Sequence, residues 1–324
     1  MSLTPAELAQ FEDEGYVVRA GVYPTGDLEP IRRAISEMID VAARALHGEG
    51  RLSDLCTGEG FERRLAAIRE IDEEAARQIY GLLLGKGGGG FSGPEMLDLL
   101  RHPGLLSCVE SLVGPDIVGS SVYRIRPKVP GWTHGEVPWH QDSGYFAAHC
   151  DRFLIVTCWI PLVDATLENG CLYVLPHRHR EGVLRHYTGG HGNFLEIPVD
   201  ELHPEGAVPL EMHAGDVLFM TNLTPHASFA NRTDRVRWSV DLRYQSAAAP
   251  NNVDEDPAQL TAQTQRVSVA CYPPEADFVI RDRTHPEHEV RLPEDFHALR
   301  RRYEQARPHY PGRGWTPMAT RQTP

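Results

Sequence analysis

The sequence predicts a mainly β protein with flanking helices (α+β), a β-sandwich or barrel buttressed by an N-terminal helical third. Two patterns carry this. Up to about residue 115 the apolar residues recur every three or four positions, as on one face of a helix. From about residue 117 they gather into short runs separated by Asn-Gly, Ala-Gly-Asp and Asn-Arg-Thr-Asp turn signals. Length supplies a third constraint. A chain of 324 residues, 41% hydrophobic and 24% charged, can bury a full core without disulfides or a structural metal. The expected organisation is a single domain over 1–324: a helical region over 1–115, a β core over 116–246 and a C-terminal extension over 247–324.

Residues 5–18 read as a short helix running into an extended piece, with Pro5 at the helix start. Residues 27–47 carry Leu28, Ile31, Ile35, Met38, Ile39, Ala42 and Leu46 on one helical face. A second helical stretch covers 61–84 and stops at Gly85-Lys86-Gly87-Gly88-Gly89-Gly90. That run is a flexible loop, suited to a lid; it lacks the G-x-x-x-x-G-K-[ST] spacing of a phosphate loop. A third helix is expected over 94–113. Strands are expected at 117–126, 153–161, 171–175, 216–220, 226–230 and 235–245, and a last helix at 294–306 before a Pro/Gly-rich tail.

The longest apolar run, 153–163, is far short of the roughly 20 residues that span a bilayer. The first eleven residues are polar and acid-bearing, unlike a secretory signal, so a cytoplasmic location is expected. Six scattered cysteines with no C-x-x-C pair point to free thiols rather than a disulfide scaffold or zinc site. A net charge of −13 argues against nucleic acid, whose phosphates need neutralising. The expected partner is a small-molecule substrate, with neither nucleic acid nor membrane. Against this acidic background, basic residues cluster at Arg124, Arg126 and Lys128, at Arg178 and Arg180, and at Arg235, Arg237 and Arg243.

Histidine is abundant, with 16 residues. Two histidines and one carboxylate can hold Fe(II) on one face and leave open positions opposite. On a strand, residues i and i+2 point the same way, so H-x-D or H-x-E offers two such ligands. The pattern occurs at His47/Glu49, His134/Glu136, His140/Asp142, His149/Asp151, His203/Glu205 and His285/Glu287. Chance supplies such pairs at this density of histidine and acid, so spacing alone leaves the choice open.

The segment 225–238 is more informative. Read as a hairpin with a turn at 231–234, it sets Ala230 opposite Arg235, Ser228 opposite Arg237 and His226 opposite Ser239. By alternation His226, Ser228, Arg237, Ser239, Asp241 and Arg243 share a polar face, while Phe229, Trp238, Val240, Leu242 and Tyr244 take the apolar one. Ser228 lies about 7 Å along the strand from His226. A dicarboxylate bound at one end to a metal on His226 would then reach Arg237, whose planar fork suits a carboxylate. An ordinary surface hairpin with a Ser/Arg pair is the competing reading.

Several pieces, in this order and spacing, are similar to the phytanoyl-CoA dioxygenase family of Fe(II)/2-oxoglutarate oxygenases. They are Phe11-Glu12-Asp13-Glu14-Gly15-Tyr16, Val137-Pro138-Trp139-His140-Gln141-Asp142-Ser143, Trp159-Ile160-Pro161-Leu162, Glu168-Asn169-Gly170-Cys171-Leu172, Gly215-Asp216-Val217-Leu218-Phe219, and Pro225-His226 with Arg237. The resemblance spans roughly 11–245. It implies a double-stranded β-helix (jelly-roll, cupin-like) core, Fe(II) held by His140, Asp142 and His226, 2-oxoglutarate as cosubstrate, and O2. It also implies that Arg237 clamps the far carboxylate of 2-oxoglutarate with support from Ser228, and that Trp159 and Arg126 lie beside the cosubstrate.

Where members commonly read Pro-Gly-Ser-His, this chain has Pro176-His177-Arg178-His179, which would place His179 and extra bulk at the mouth of the site. Arg124 and, by parity with Arg237, Arg243 are the expected substrate contacts. The loop 127–138, with Lys128, Trp132 and His134, is placed to cap the pocket. The implied reaction is hydroxylation of an unactivated C–H on a small, anionic organic substrate, a carboxylate or phosphonate. Asp142 favours this, or a related desaturation or ring change, over halogenation, because related halogenases lack the carboxylate. A cupin-like metal-dependent isomerase or hydrolase, or a non-catalytic binding module on the same barrel, are the alternatives.

Overall fold

A computed structural model of the chain describes residues 2–84, 91–259, 276–308 and 312–321. The helices are α1 (Pro5–Glu14), α2 (Glu29–Gly48), α3 (Arg64–Ile71), α4 (Glu73–Leu84), α5 (Pro94–Leu100), α6 (Pro103–Val113), α7 (Val199–Leu202) and α8 (Pro293–Ala306). The strands are β1 (Tyr16–Arg19), β2 (Ile117–Lys128), β3 (Val137–His140), β4 (Ile155–Pro161), β5 (Leu172–Val174), β6 (Tyr187–Thr188), β7 (Val208–Leu210), β8 (Val217–Thr221), β9 (His226–Ser228), β10 (Arg237–Ser246), β11 (Asp277–Arg281) and β12 (Thr316–Pro317). Six strands form one antiparallel sheet in the order β1-β8-β4-β10-β2-β11, and four form a second in the order β3-β9-β5-β7. A short parallel pair, β12-β6, lies apart from both. Among the described residues no helix is long and apolar enough to cross a membrane.

The N-terminal helices form for local reasons. Thr4 caps α1 and exchanges a capping box with Glu7, Pro5 occupies the first turn, and Gly15 ends the helix at φ +84°. A side chain at Gly15 would also collide with the His179 ring, at 2.5 Å. Ile31, Ile35, Ile39, Ala43 and Leu46 form the buried stripe of α2. The stretch expected as one helix over 61–84 is two. Asp72 leaves the helical region (φ −148°, ψ 108°) and its carboxylate accepts from the Ala75 N–H at 2.8 Å, capping α4. The helix expected over 94–113 also divides, at His102, because Pro103 restarts the chain as α6. The glycine run at 85–90 lies outside the described residues.

These helices cover the outer face of the large sheet. Trp238, Val240, Leu242 and Tyr244, alternate residues of β10, are buried in one cluster with Ile31, Ile35, Leu100 and Val109. Hydrogen bonds lock the layers: Tyr244 Oη donates to the Leu100 carbonyl (2.7 Å) and Trp238 Nε1 to that of Phe61 (3.2 Å). The opposite parity, Arg237, Ser239, Asp241 and Arg243, is also buried but faces the small sheet. Some of the expected extension belongs to the β core, since β11 pairs with β2 as the sheet edge.

The hairpin expected over 225–238 does not form. β9 is flanked by β3 and β5, and β10 by β2 and β4, so neither has a free edge for the other. Residues 229–236 instead cross from one sheet to the other. Asn231 anchors the crossing, donating to the Lys128 and Arg235 carbonyls at 2.8 and 2.6 Å. Phe229, placed by alternation on the core face, is 42% exposed and packs its ring against Tyr173 at 4.9 Å.

Candidate metal and cosubstrate site

The two imidazoles come from strand pairing. His140 ends β3 directly opposite His226 on β9, which puts the ring centroids 4.2 Å apart. His140 Nδ1 lies 2.9 Å from the Pro138 carbonyl and His226 Nδ1 3.0 Å from that of Thr224. A carbonyl only accepts, so each Nδ1 carries the proton and each Nε2 keeps its lone pair. Burial, with His226 alongside, pushes His140 down to about 3, and burial likewise lowers His226, so both rings are neutral near pH 7.

Asp142 reaches the pair differently from expectation. It is not on a strand but in the 3₁₀ turn Asp142–Gly144 that follows β3. Its Oδ1 lies 3.9 Å from His140 Nε2. From the large sheet, Arg243 donates from Nε to Oδ2 (3.2 Å) and from Nη2 to Oδ1 (3.1 Å), and Thr157 Oγ1 donates to Oδ2. Thr157 and Arg243 are cross-strand partners on β4 and β10, so one register places both donors. Burial pushes the Asp142 carboxyl upward, but Arg243 and the two histidines outweigh it and hold the group well below the usual carboxylate range.

His140, Asp142 and His226 are the group of possible metal ligands found among the described residues, each offering an atom within 4.8 Å of the others. Two neutral imidazole nitrogens and one carboxylate fit a divalent first-row metal such as Fe(II). Of the six H-x-D/E pairs, only this one meets a third ligand in a buried site among the described residues. His285 and Glu287, by contrast, form an exposed ion pair.

The triad opens into a cavity of about 500 Å³ between the two sheets. At one end stands Arg237, 3% exposed. It donates to Ser239 Oγ (2.5 Å), the Gly170 carbonyl (3.2 Å) and Ser228 Oγ (3.3 Å), and its Nε has no partner. Among the described residues no carboxylate pairs with it, and burial lowers it to about 10. Its guanidinium lies 5.2 Å from the centre of the Trp159 ring. A buried, unpaired cation with an orphaned N–H is costly in a folded protein unless an anion joins it. The far carboxylate of 2-oxoglutarate fits that need. Ser228 and Arg237 therefore do meet, across the cavity rather than across a hairpin.

Arg126 lines the cavity and pairs with Asp241 (2.7 Å). Arg124 also lines it and donates to the Tyr123 carbonyl. Arg243, expected at the substrate, has its donors on Asp142, Asp241 and the Val122 carbonyl; its position between two buried aspartates makes it a support of the metal ligand. His179, expected at the mouth, is not brought to the cavity. The turn at His177 (φ +65°) sends it against α1, with Nε2 3.3 Å from the Glu12 carbonyl. In the loop 127–138, Lys128 is a cavity wall and Trp132 packs edge-on against Tyr80; the side chain of His134 is not described.

The sequence placed Lys128 in the capping loop and Asp241 on the polar strand face but not their roles, and it missed Thr157. Lys128 is 2% exposed beside the cavity, donating to the Phe229 carbonyl at 2.5 Å. Burial, with Arg237 opposite it on β10, pushes its ammonium well below the usual range. Alternation with Arg124 and Arg126 is a signal that could have found it. Alternation put Asp241 on the site face, but its pairing with Arg126 and Arg243, like the role of Thr157, depends on the register of β2, β4 and β10.

A family model, phytanoyl-CoA dioxygenase, matches residues 11–239. Among curated proteins, a phytanoyl-CoA dioxygenase of Arabidopsis thaliana is 26% identical over 74% of this chain and 88% of its own. A methylphosphonate hydroxylase of Gimesia maris is 32% identical over 46% of this chain and 54% of its own. Among solved structures, the apo form of ThoJ, a non-heme monooxygenase, aligns over 92% of this chain and 96% of its own, with a TM-score of 0.56 at 19% identity.

Proposed function

The chain belongs to the phytanoyl-CoA dioxygenase family, oxygenases that depend on iron and 2-oxoglutarate, and from that premise we propose that it hydroxylates a C–H bond of a small anionic substrate. The observation that carries the reading is the buried Arg237, without a carboxylate, in the cavity that holds His140, Asp142 and His226. The same reading takes the two sheets as the walls of a double-stranded β-helix in one catalytic domain, with a cytoplasmic location.

Each residue then has a definite task. His140, Asp142 and His226 would hold the iron, with protons parked on the Nδ1 atoms and the carboxylate ionised. Arg237 and Ser228 would grip the far carboxylate of 2-oxoglutarate, and Trp159 would wall it from water. When bound, iron and cosubstrate supply the oxidation: 2-oxoglutarate and O2 become succinate and CO2, and one oxygen atom passes to the substrate. No general base is needed, so the chain contributes orientation and a dry pocket. Asp142 supplies a carboxylate that related halogenases lack, which supports hydroxylation.

Charge supports an anionic substrate. The cavity is lined by Arg124, Arg126, Arg237 and Arg243 against Asp142 and Asp241, a formal excess of two positive charges in a chain of net −13, leaving aside the buried Lys128. Fe(II) and the 2-oxoglutarate dianion cancel each other, so that excess is left for the substrate. By its name, the methylphosphonate hydroxylase acts on a small phosphonate.

A screen of small carboxylates and phosphonates, reading succinate above the uncoupled background, tests the reading. The best substrate of that screen is expected to lose about 10-fold or more in kcat/KM on Arg124→Ala, with a rise in KM. An unchanged KM removes Arg124 from the substrate contacts. Arg237→Met is expected to raise the KM for 2-oxoglutarate about 10- to 100-fold, the worth of a charge-assisted pair of hydrogen bonds. A KM within twofold of the parent would remove Arg237 from the 2-oxoglutarate site, and a parent that forms no succinate at all would point to a hydrolase or isomerase on the same barrel.

A further inference from the structure

Strand pairing explains how His140 and His226 are aimed, but it stops at His140, and Asp142 stands in a turn. From inside, that turn is held by the Asn222 carbonyl, which accepts from the Ser143 N–H (2.9 Å), and by His186 Nε2, which accepts from the Gln141 N–H (3.0 Å). Its outward carbonyls are taken by the far end of the chain. Arg313 Nη1 donates to the Ser143 carbonyl (2.6 Å) and to Asp151 Oδ1 (2.8 Å), and Nη2 donates to Asp151 Oδ2. Trp315 Nε1 donates to the Gly144 carbonyl (2.8 Å), and its ring lies 5.2 Å from His186. A Cβ on Gly144 would come within 2.7 Å of the His186 ring, so turn, imidazole and indole form one tight stack.

The segment is fastened beyond these two residues. Thr316–Pro317 pairs with Tyr187–Thr188, and Arg321 donates to Glu201 (2.7 Å) and Asp200 (2.5 Å) at α7. The Arg313–Asp151 pair is largely buried, with side chains 10% and 24% exposed. A two-pronged pair of this kind specifies geometry more than it adds stability. The segment lies beyond the residues, 11–239, that match the family model.

We propose that residues 313–321 are a positioning element of the metal centre: Arg313 and Trp315 clip the Asp142–Gly144 turn from outside so that the Asp142 carboxylate faces His140 and His226. The inference rests on reading those three residues as metal ligands. The clip acts on a ligand turn with no ladder of its own, and loosening it widens the spread of Asp142 positions without touching the histidines.

The test uses the full chain carrying Arg313→Gln or Trp315→Phe. The second removes the indole N–H and part of the ring area but keeps an aromatic side chain, so it carries the test where the first fails to fold. Two readouts are taken: hydrogen exchange in metal-free protein, and Mn(II) affinity. Exchange of the amides at 141–152 is expected to quicken about 10-fold while those of β4 and β10 hold, and the Mn(II) dissociation constant is expected to rise about 10-fold. Arg313→Lys, which keeps the charge but not the fork, should fall between. Unchanged exchange at 141–152, exchange that rises evenly over the whole chain, or a parent-like Mn(II) affinity in both variants overturns the proposal. If the parent protein itself fails to bind Mn(II), the metal reading is what falls, and the local exchange still decides whether the clip orders the turn.

Discussion

His140→Ala is expected to reduce succinate formation from 2-oxoglutarate by at least about 100-fold while leaving the far-ultraviolet circular dichroism unchanged. The ring contributes a hydrogen bond to the Pro138 carbonyl, and its deletion leaves no charge stranded. The metal loses one of three ligands, a greater insult than the 10- to 100-fold that follows loss of an outer partner. Asp142→Asn is expected to match it in activity for another reason: the shape remains, but the anion that joins two neutral imidazoles is gone. Full turnover in either variant would sink the assignment of the triad. The two differ in stability, because Asp142→Asn also deprives Arg243 of a buried counter-charge.

Arg243→Met should be the most destabilising single change at the site. The guanidinium stands between Asp142 and Asp241, all three at most 6% exposed, and Asp241 is in turn held by Arg126. Removing one member of a buried charge network leaves the others without compensation, at a cost of about 3–5 kcal/mol. Urea unfolding of the metal-free protein measures it; a loss under about 1 kcal/mol would show that water enters and solvates the aspartates. The acid limb carries a second signature. In the parent the folded Asp142 carboxyl titrates below its unfolded value, so its stabilisation is present above about pH 4 and is lost as pH falls through the folded value. Without Arg243 the upward push of burial gains on what remains, that contribution shrinks, and the acid-unfolding midpoint should move to higher pH.

The alternation of β10 was legible because one strand face meets helices and the other a polar cavity. Trp238, Val240, Leu242 and Tyr244 went to the helices, and Arg237, Asp241 and Arg243 to the site, on period two alone. The partner strand was not legible. A local turn signal at 231–234 suggests the nearest strand as partner, but β9 and β10 are central strands of different sheets, and long-range pairing outweighs the turn. The two helix breaks failed for a smaller reason. Asp72 and Pro103 stop a helix by capping and ring geometry, whereas the apolar spacing runs on across them.

By itself the sequence determined which side chains could do the chemistry. The acidic chain with clustered arginines, the order of His140, Asp142, His226 and Arg237, and the face that Arg237, Asp241 and Arg243 take on β10 are properties of local pattern. Only the tertiary structure decided what those groups meet. His226 stands opposite His140 because β9 pairs with β3, Asp142 is claimed by Arg243 because β10 lies beside β4, and Arg313 reaches Ser143 from 170 residues away. Period and charge are written within a few residues of each position. Which strand lies alongside which depends on the packing of the whole chain, and with it whether a buried arginine serves a substrate or a metal ligand.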